Sequence, residues 1–162
     1  MKVYVGMSDS MLKLPGVVED KLDDIMSDGH TFLFGYPEGG DRLIREYVLG
    51  EDYPLVVLYG CEWDYTVEGE IHTVACSDPT EDEDRSEEMR LNDAEWGFIV
   101  WKNGDNDVLM TAAELLVSRK PVTIYAAHNQ SFYYILDFMD LIDMIVSSTR
   151  SRANKLLNGY IF

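Results

Sequence analysis

The chain has 162 residues, 46% of them hydrophobic and 12% aromatic, with thirty Asp and Glu against thirteen Lys and Arg for a formal net charge of -17. That length and apolar content describe one folded domain rather than a disordered acidic segment. The charge argues against direct nucleic-acid binding through phosphates, and no run reaches the roughly 18 apolar residues of a membrane span. The opening MKVYVG lacks a signal-peptide pattern and Cys61 and Cys76 make no disulfide framework, so reduced thiols in a cytoplasm are expected.

In chain order, VYVG (3–6) predicts a first strand and GMSDS (6–10) its exit loop. Residues 15–28, PGVVEDKLDDIMSD, place Val18, Leu22, Ile25 and Met26 on one helical face between Pro15 and Gly29. TFLFGY (31–36) predicts a second strand, GYPEGGD (35–41) its loop and DRLIREYVL (41–49) a helix. LVVLYG (55–60) is a third strand, followed by a long acidic link over 61–83. Cys61, His72 and Cys76 on that link match no usual zinc spacing. DRSEEMRLNDAE (84–95) predicts a solvated acidic helix, GFIVW (97–101) a fourth strand and KNGDND (102–107) another glycine turn. A helix over 107–119 and a fifth strand, VTIYAA (122–127), follow. The strands are nearly continuous in apolar residues, as in sheets covered on both faces. The class is therefore α/β, a three-layer Rossmann-like fold with a five-strand, mostly parallel sheet.

Residues 132–146 read as a helix apolar nearly all round, relieved only by Asp137, Asp140 and Asp143. Residues 147–162 form a short basic tail holding Arg150, Arg152 and Lys155 without an acid. The remaining domain, 1–146, keeps ten bases against thirty acids. The asymmetry predicts a tail that docks on an acidic body, and with the apolar helix it predicts a homo-oligomer.

Ligands of open parallel sheets lie beyond the carboxyl ends of the strands. Three loops qualify: Gly6, Met7, Ser8 and Asp9 in the first; Gly35, Tyr36, Glu38, Gly39, Gly40 and Asp41 in the second; Asn103, Asp105 and Asp107 in the third, beside Trp101. Glycines there permit close backbone approach, and Asp41 and Asp107 stand where helix N-caps belong. Backbone N–H groups of Gly39 and Gly40 suit the polar part of a ligand, Tyr36 and Trp101 a stacked ring, and Asp9 or Asp41 ribose hydroxyls.

The succession GMSDS, FGYPEGGDRLIREY, EMRLNDAEWGFIVWKN and RKPVTIYAA resembles the YspA-like branch of the SLOG superfamily, which groups the SMF DNA-processing proteins with the LOG cytokinin-activating enzymes. The resemblance covers roughly residues 1–146. It rests on Gly6 and Ser8 (G-x-S), on Gly35, Gly39 and Asp41 (G-x-x-x-G-x-D), and on the block Met89, Asp93, Ala94 and Trp101. It implies a Rossmann-like domain that binds nucleotides or nucleotide-derived molecules, often as a sensor and sometimes as a nucleosidase.

The departures redirect that expectation. Relatives commonly have arginine where this chain has Asp9, and S-x-G-T where it reads Asp105, Asn106, Asp107 and Val108. A phosphate about 4 Å from an ionised acid meets repulsion of about 1 kcal/mol in water-like surroundings and several times that in a cleft. A Mg²⁺ ion bridged by Asp9, Asp41, Asp105 and Asp107 would offset it. Related transferases carry a catalytic glutamate one turn into the helix after the phosphate loop; here Thr111 stands there and Glu114 lies three residues on. The sequence therefore points to a non-catalytic binder or sensor of a nucleotide- or nucleoside-derived small molecule. Two alternatives stay open: an acidic protein-interaction module, acting as an inhibitor or nucleic-acid mimic, and a nucleosidase-like hydrolase.

Overall fold

The computed structural model describes residues 1–35, 40–60, 70–72 and 79–160. Strands β1 (Lys2–Met7), β2 (Thr31–Phe34), β3 (Val56–Tyr59), β4 (Glu70–His72), β5 (Trp96–Trp101), β6 (Val122–Ala126) and β7 (Ser131–Ile135) form one sheet in the order β4-β3-β2-β1-β5-β6-β7. Every neighbouring pair is parallel except β6 with β7. Helices α1 (Gly16–Ser27), α2 (Arg42–Gly50), α3 (Pro79–Asp93), α4 (Asp107–Val117) and α5 (Phe138–Tyr160) complete the chain.

Alternation along β1 builds three layers. Val3, Val5 and Met7 face one core with Val18, Leu22 and Ile25 of α1 and Ile44 and Val48 of α2. Tyr4 faces the other, with Ile99, Leu109, Ala112 and Leu115, the last three from α4. Both faces of the central strands are thus covered, which accounts for their unbroken apolar composition. Local signals set the helix ends as expected: Pro15 precedes α1, and Gly29, at φ +76°, ends it in the left-handed conformation that glycine adopts without strain.

The α/β class and the five expected strands stand, but among the described residues the sheet has seven strands. The two additions fall where periodicity was weakest. β4 lies inside the expected link over 61–83, and α3 begins at Pro79, within the same link. β7 occupies residues expected to open a helix at 132. FYYI is aromatic and β-branched, and it pairs antiparallel with β6, Tyr133 opposite Ile124. The C-terminal helix therefore starts at Phe138 and runs without a break to Tyr160, across the expected boundary between domain and tail. No helix among the described residues is long and apolar enough to cross a membrane.

Candidate functional site

The chain turns back at β5, which lies beside β1 after β2, β3 and β4 have built the other half of the sheet. Such a reversal of strand order opens a crevice at the carboxyl ends of the two central strands. A cleft of about 350 Å³ occupies it. Its floor is Tyr4, Gly6 and Ile99, its walls are the loops after β1 and β2, the start of α4 and one face of α3.

A buried polar network forms one wall. Arg90 of α3 reaches across the end of β1, 6% exposed, and donates from Nη1 to Asp41 Oδ2 at 2.9 Å. Asp41, 3% exposed, also accepts the Gly35 N–H on Oδ2 at 2.8 Å and Arg45 Nη1 on Oδ1 at 3.0 Å. Arg90 Nη2 donates to the Tyr4 hydroxyl and, at 3.2 Å, to Glu87 Oε1, while the Tyr4 hydroxyl donates to Glu87. The guanidinium also lies over the Tyr4 ring, 3.9 Å from its centroid. Burial works against the charge on Arg90, but Tyr4, Glu87 and Asp41 around it outweigh burial and hold its pKa above the ordinary value. Burial pushes the Tyr4 phenol up; Arg90 pulls it down in part, and Glu87 and Asp41 push it further up.

The close packing fixes two glycines. A Cβ on Gly35 would lie 2.8 Å from Arg90 Nη1, and one on Gly40 would lie 2.6 Å from the carbonyl oxygen of Met7. Bare backbone at Gly35 lets the guanidinium reach Asp41, and bare backbone at Gly40 lets the second loop lie against β1.

Among the described residues two donors in this wall have no partner. Ser86 Oγ and Arg90 Nε are buried and unpaired there, and Ser86 is 1% exposed. Both residues line the cleft, four positions apart on one face of α3. Buried polar groups are ordinarily satisfied, so such a pair calls for an acceptor supplied from the cleft. Around them the lining is acidic: Asp9, Glu83, Asp84, Asp105 and Asp107, with Arg90 the single Lys or Arg among the described lining residues.

Of the residues expected at the site, Gly6, Met7, Asp9, Gly35, Gly40, Asp41, Asp105 and Asp107 line this cleft. Tyr36, Glu38 and Gly39 lie outside the described residues, as do Cys61 and Cys76. Four expectations need correction. Asp41 is not an open acceptor for ribose, because Gly35, Arg45 and Arg90 occupy its carboxylate. Trp101 does not stack in the cleft: it is 3% exposed within the second core, its indole donates to the Asp105 carbonyl at 2.9 Å, and its ring meets His128 edge-on. Ser8 is spent on structure, its Oγ accepting the Lys102 N–H at 2.9 Å and its N–H donating to Val100. Asn103 lines a shallower depression beside the cleft, shared with Asp9, Ser10, Lys102 and Asp105.

The helix starts also differ in detail. Asp41 precedes α2 but makes no side-chain cap, and Asp107 is the first residue of α4, its N–H donating to Asp105 Oδ1 at 3.0 Å. Thr111 reaches the cleft and Glu114 does not. Among the described residues no group of three His, Cys, Asp or Glu is arranged to hold a metal ion.

The face of α3 is what sequence reasoning missed. Its many acids suggested a solvated helix, yet Glu83, Ser86 and Arg90 recur at three- and four-residue spacing, the signal of a common face. No protein family, curated protein or solved structure matches this chain.

Proposed function

We propose that the cleft binds an uncharged, hydroxyl-bearing molecule of the nucleoside type, without transforming it. The observation that carries this reading is the buried pair Ser86 Oγ and Arg90 Nε, unpaired among the described residues, in the wall of a cleft whose other charged lining residues are acids. An acceptor on the ligand, such as a base carbonyl or ring nitrogen, satisfies the inner pair. Hydroxyl donors on a sugar suit the carboxylates of Asp9, Asp105 and Asp107. A phosphate suits neither position: Arg90 already faces Asp41 and Glu87, and the remaining charges repel an anion. A Mg²⁺ ion recruited with a nucleotide to the acidic lining is the variant of this reading that admits phosphate. Chemistry is disfavoured because Thr111, not a carboxylate, faces the cleft where related transferases place their glutamate.

Thermal-shift titration tests this with nucleosides, nucleotides, ADP-ribose and cyclic dinucleotides, each with and without Mg²⁺. A ligand at 100 times its Kd adds about 2.7 kcal/mol of stability. The expected pattern is a shift by nucleosides that exceeds that of their phosphates when Mg²⁺ is absent. Ser86→Ala is the matching variant. It removes an unsatisfied buried hydroxyl, so the fold keeps or slightly gains stability while the ligand shift shrinks. A flat panel, or a nucleotide shift independent of Mg²⁺ and larger than the nucleoside shift, overturns the proposal.

A further inference from the structure

Independently of the cleft, α5 carries a surface that the fold leaves uncovered. One side of the helix packs on the domain: Leu141, Met144 and Ser148 are 6%, 2% and 0% exposed. On the opposite side Met139, Ile142 and Val146 are 62%, 50% and 43% exposed. With Thr149 they follow a 3-4-3 spacing, the seam of a two-helix coiled coil. The Thr149 hydroxyl is already engaged, donating to the Ile145 carbonyl at 2.8 Å, so it imposes no unmet polar demand on a partner.

The charges beside this seam state what kind of partner fits. Asp143 and Arg150 are both exposed and flank the same edge one heptad apart. Seven residues of helix separate them by about 10 Å along the axis, too far to pair with each other. Neither has an ion-pair partner among the described residues. The wider sequence follows the same division, with Asp137, Asp140 and Asp143 toward the start of α5 and Arg150, Arg152 and Lys155 in its second half. A parallel partner would put the Asp143 and Arg150 edges of the two chains on opposite sides of the seam, where they cannot pair. An antiparallel copy of the same helix, crossing at the level of Met144, sets Ile142 of each chain beside Val146 of the other and brings Arg150 of each within reach of the other's Asp143. A two-fold axis supplies that contact twice.

We infer that the chain forms a symmetric dimer through the outer face of α5, with the two helices crossing antiparallel at the level of Met144. The occupant of the apolar stripe is a second copy, selected by the reversal of charge along the helix. The contact lies on an element that contributes no lining residue to the cleft, so dimer formation leaves the cleft's described lining intact.

Sedimentation equilibrium on the full chain tests this over about 1 to 100 µM. The expected mass approaches twice 18.5 kDa at the upper end. Ile142→Glu with Val146→Glu gives a monomer, with far-UV circular dichroism confirming that the exposed changes leave the helix folded. Charge reversal decides the orientation. Asp143→Arg turns two attractions into two repulsions and raises the dimer Kd about tenfold, and adding Arg150→Asp restores it. A wild-type monomer at about 100 µM overturns the inference. So does a dimer indifferent to the Glu pair, as pairing through the edge of β7 would give, or a double reversal that fails to recover affinity.

Discussion

Replacing Arg90 by methionine removes one charge from the centre of the buried network and leaves most of the volume filled. In the wild type the guanidinium holds Asp41 at 2.9 Å, lies 3.9 Å above the Tyr4 ring and is bonded to Glu87. Breaking a buried ion pair by removing one partner costs about 3–5 kcal/mol, because the remaining charge stays desolvated. Asp41 keeps the Gly35 N–H and Arg45, which places the loss near the lower bound, about 3 kcal/mol. In a domain of this size each kcal/mol moves the Tm by about 2–4 °C, so Arg90→Met melts about 6–12 °C lower. Urea denaturation monitored by tryptophan fluorescence measures the same loss as a shift in midpoint at unchanged slope. Glu87→Gln is the internal comparison. That side chain is 37% exposed and solvent screens its pair with Arg90, so the loss stays below about 1 kcal/mol. If Arg90→Met costs less than about 1 kcal/mol, or no more than Glu87→Gln, the network is not the anchor of the loops around β1 and β2.

Two further outcomes follow from the same packing. Gly40→Ala places a Cβ 2.6 Å from the Met7 carbonyl, backbone of a strand paired on both sides, so the loop must shift at a cost of about 1–3 kcal/mol; an unchanged urea midpoint would refute the close approach. Stability should also fall in alkali. The Tyr47 phenol, hydrogen-bonded to Asp23, is pushed up to about 12, and burial raises Tyr4 as well, so the folded chain holds protons that the unfolded chain releases above pH of about 10. That stabilisation is complete below pH of about 10 and fades as pH rises through the folded values. Tyr47→Phe should flatten the alkaline decline in Tm between pH of about 10 and 12; a decline of undiminished slope argues against this assignment.

The local rules of the chain decided most of the architecture. Runs such as LVVLYG and VTIYAA are apolar on both faces and could only be central strands, and the turns at Pro15 and Gly29 bounded α1 without tertiary help. The loops that border the cleft were legible for the same reason: glycine and a small polar residue after a buried strand mark the open end of a parallel sheet. Short or mixed segments were not legible. FYYI serves a buried helix as well as a strand, and only the free edge of β6 decides between them. Nor does sequence spacing tell which acids face solvent. Asp41 reads like Asp9 and Asp105, yet it is the one closed in by two arginines, and Trp101 reads as a stacking platform until β5 turns it into the core. Arg90 and Ser86 lie 85 and 81 residues from Val5 in sequence and reach its strand only after α3 packs across β1. Periodicity and turn chemistry act over a few residues, so the sequence by itself determined the strongly patterned elements and their layers, while the short strands β4 and β7 and the start of α5 depended on their neighbours. Burial, charge pairing and unmet hydrogen bonds arise from contacts between distant elements, so only the tertiary structure decided which side chains make the site.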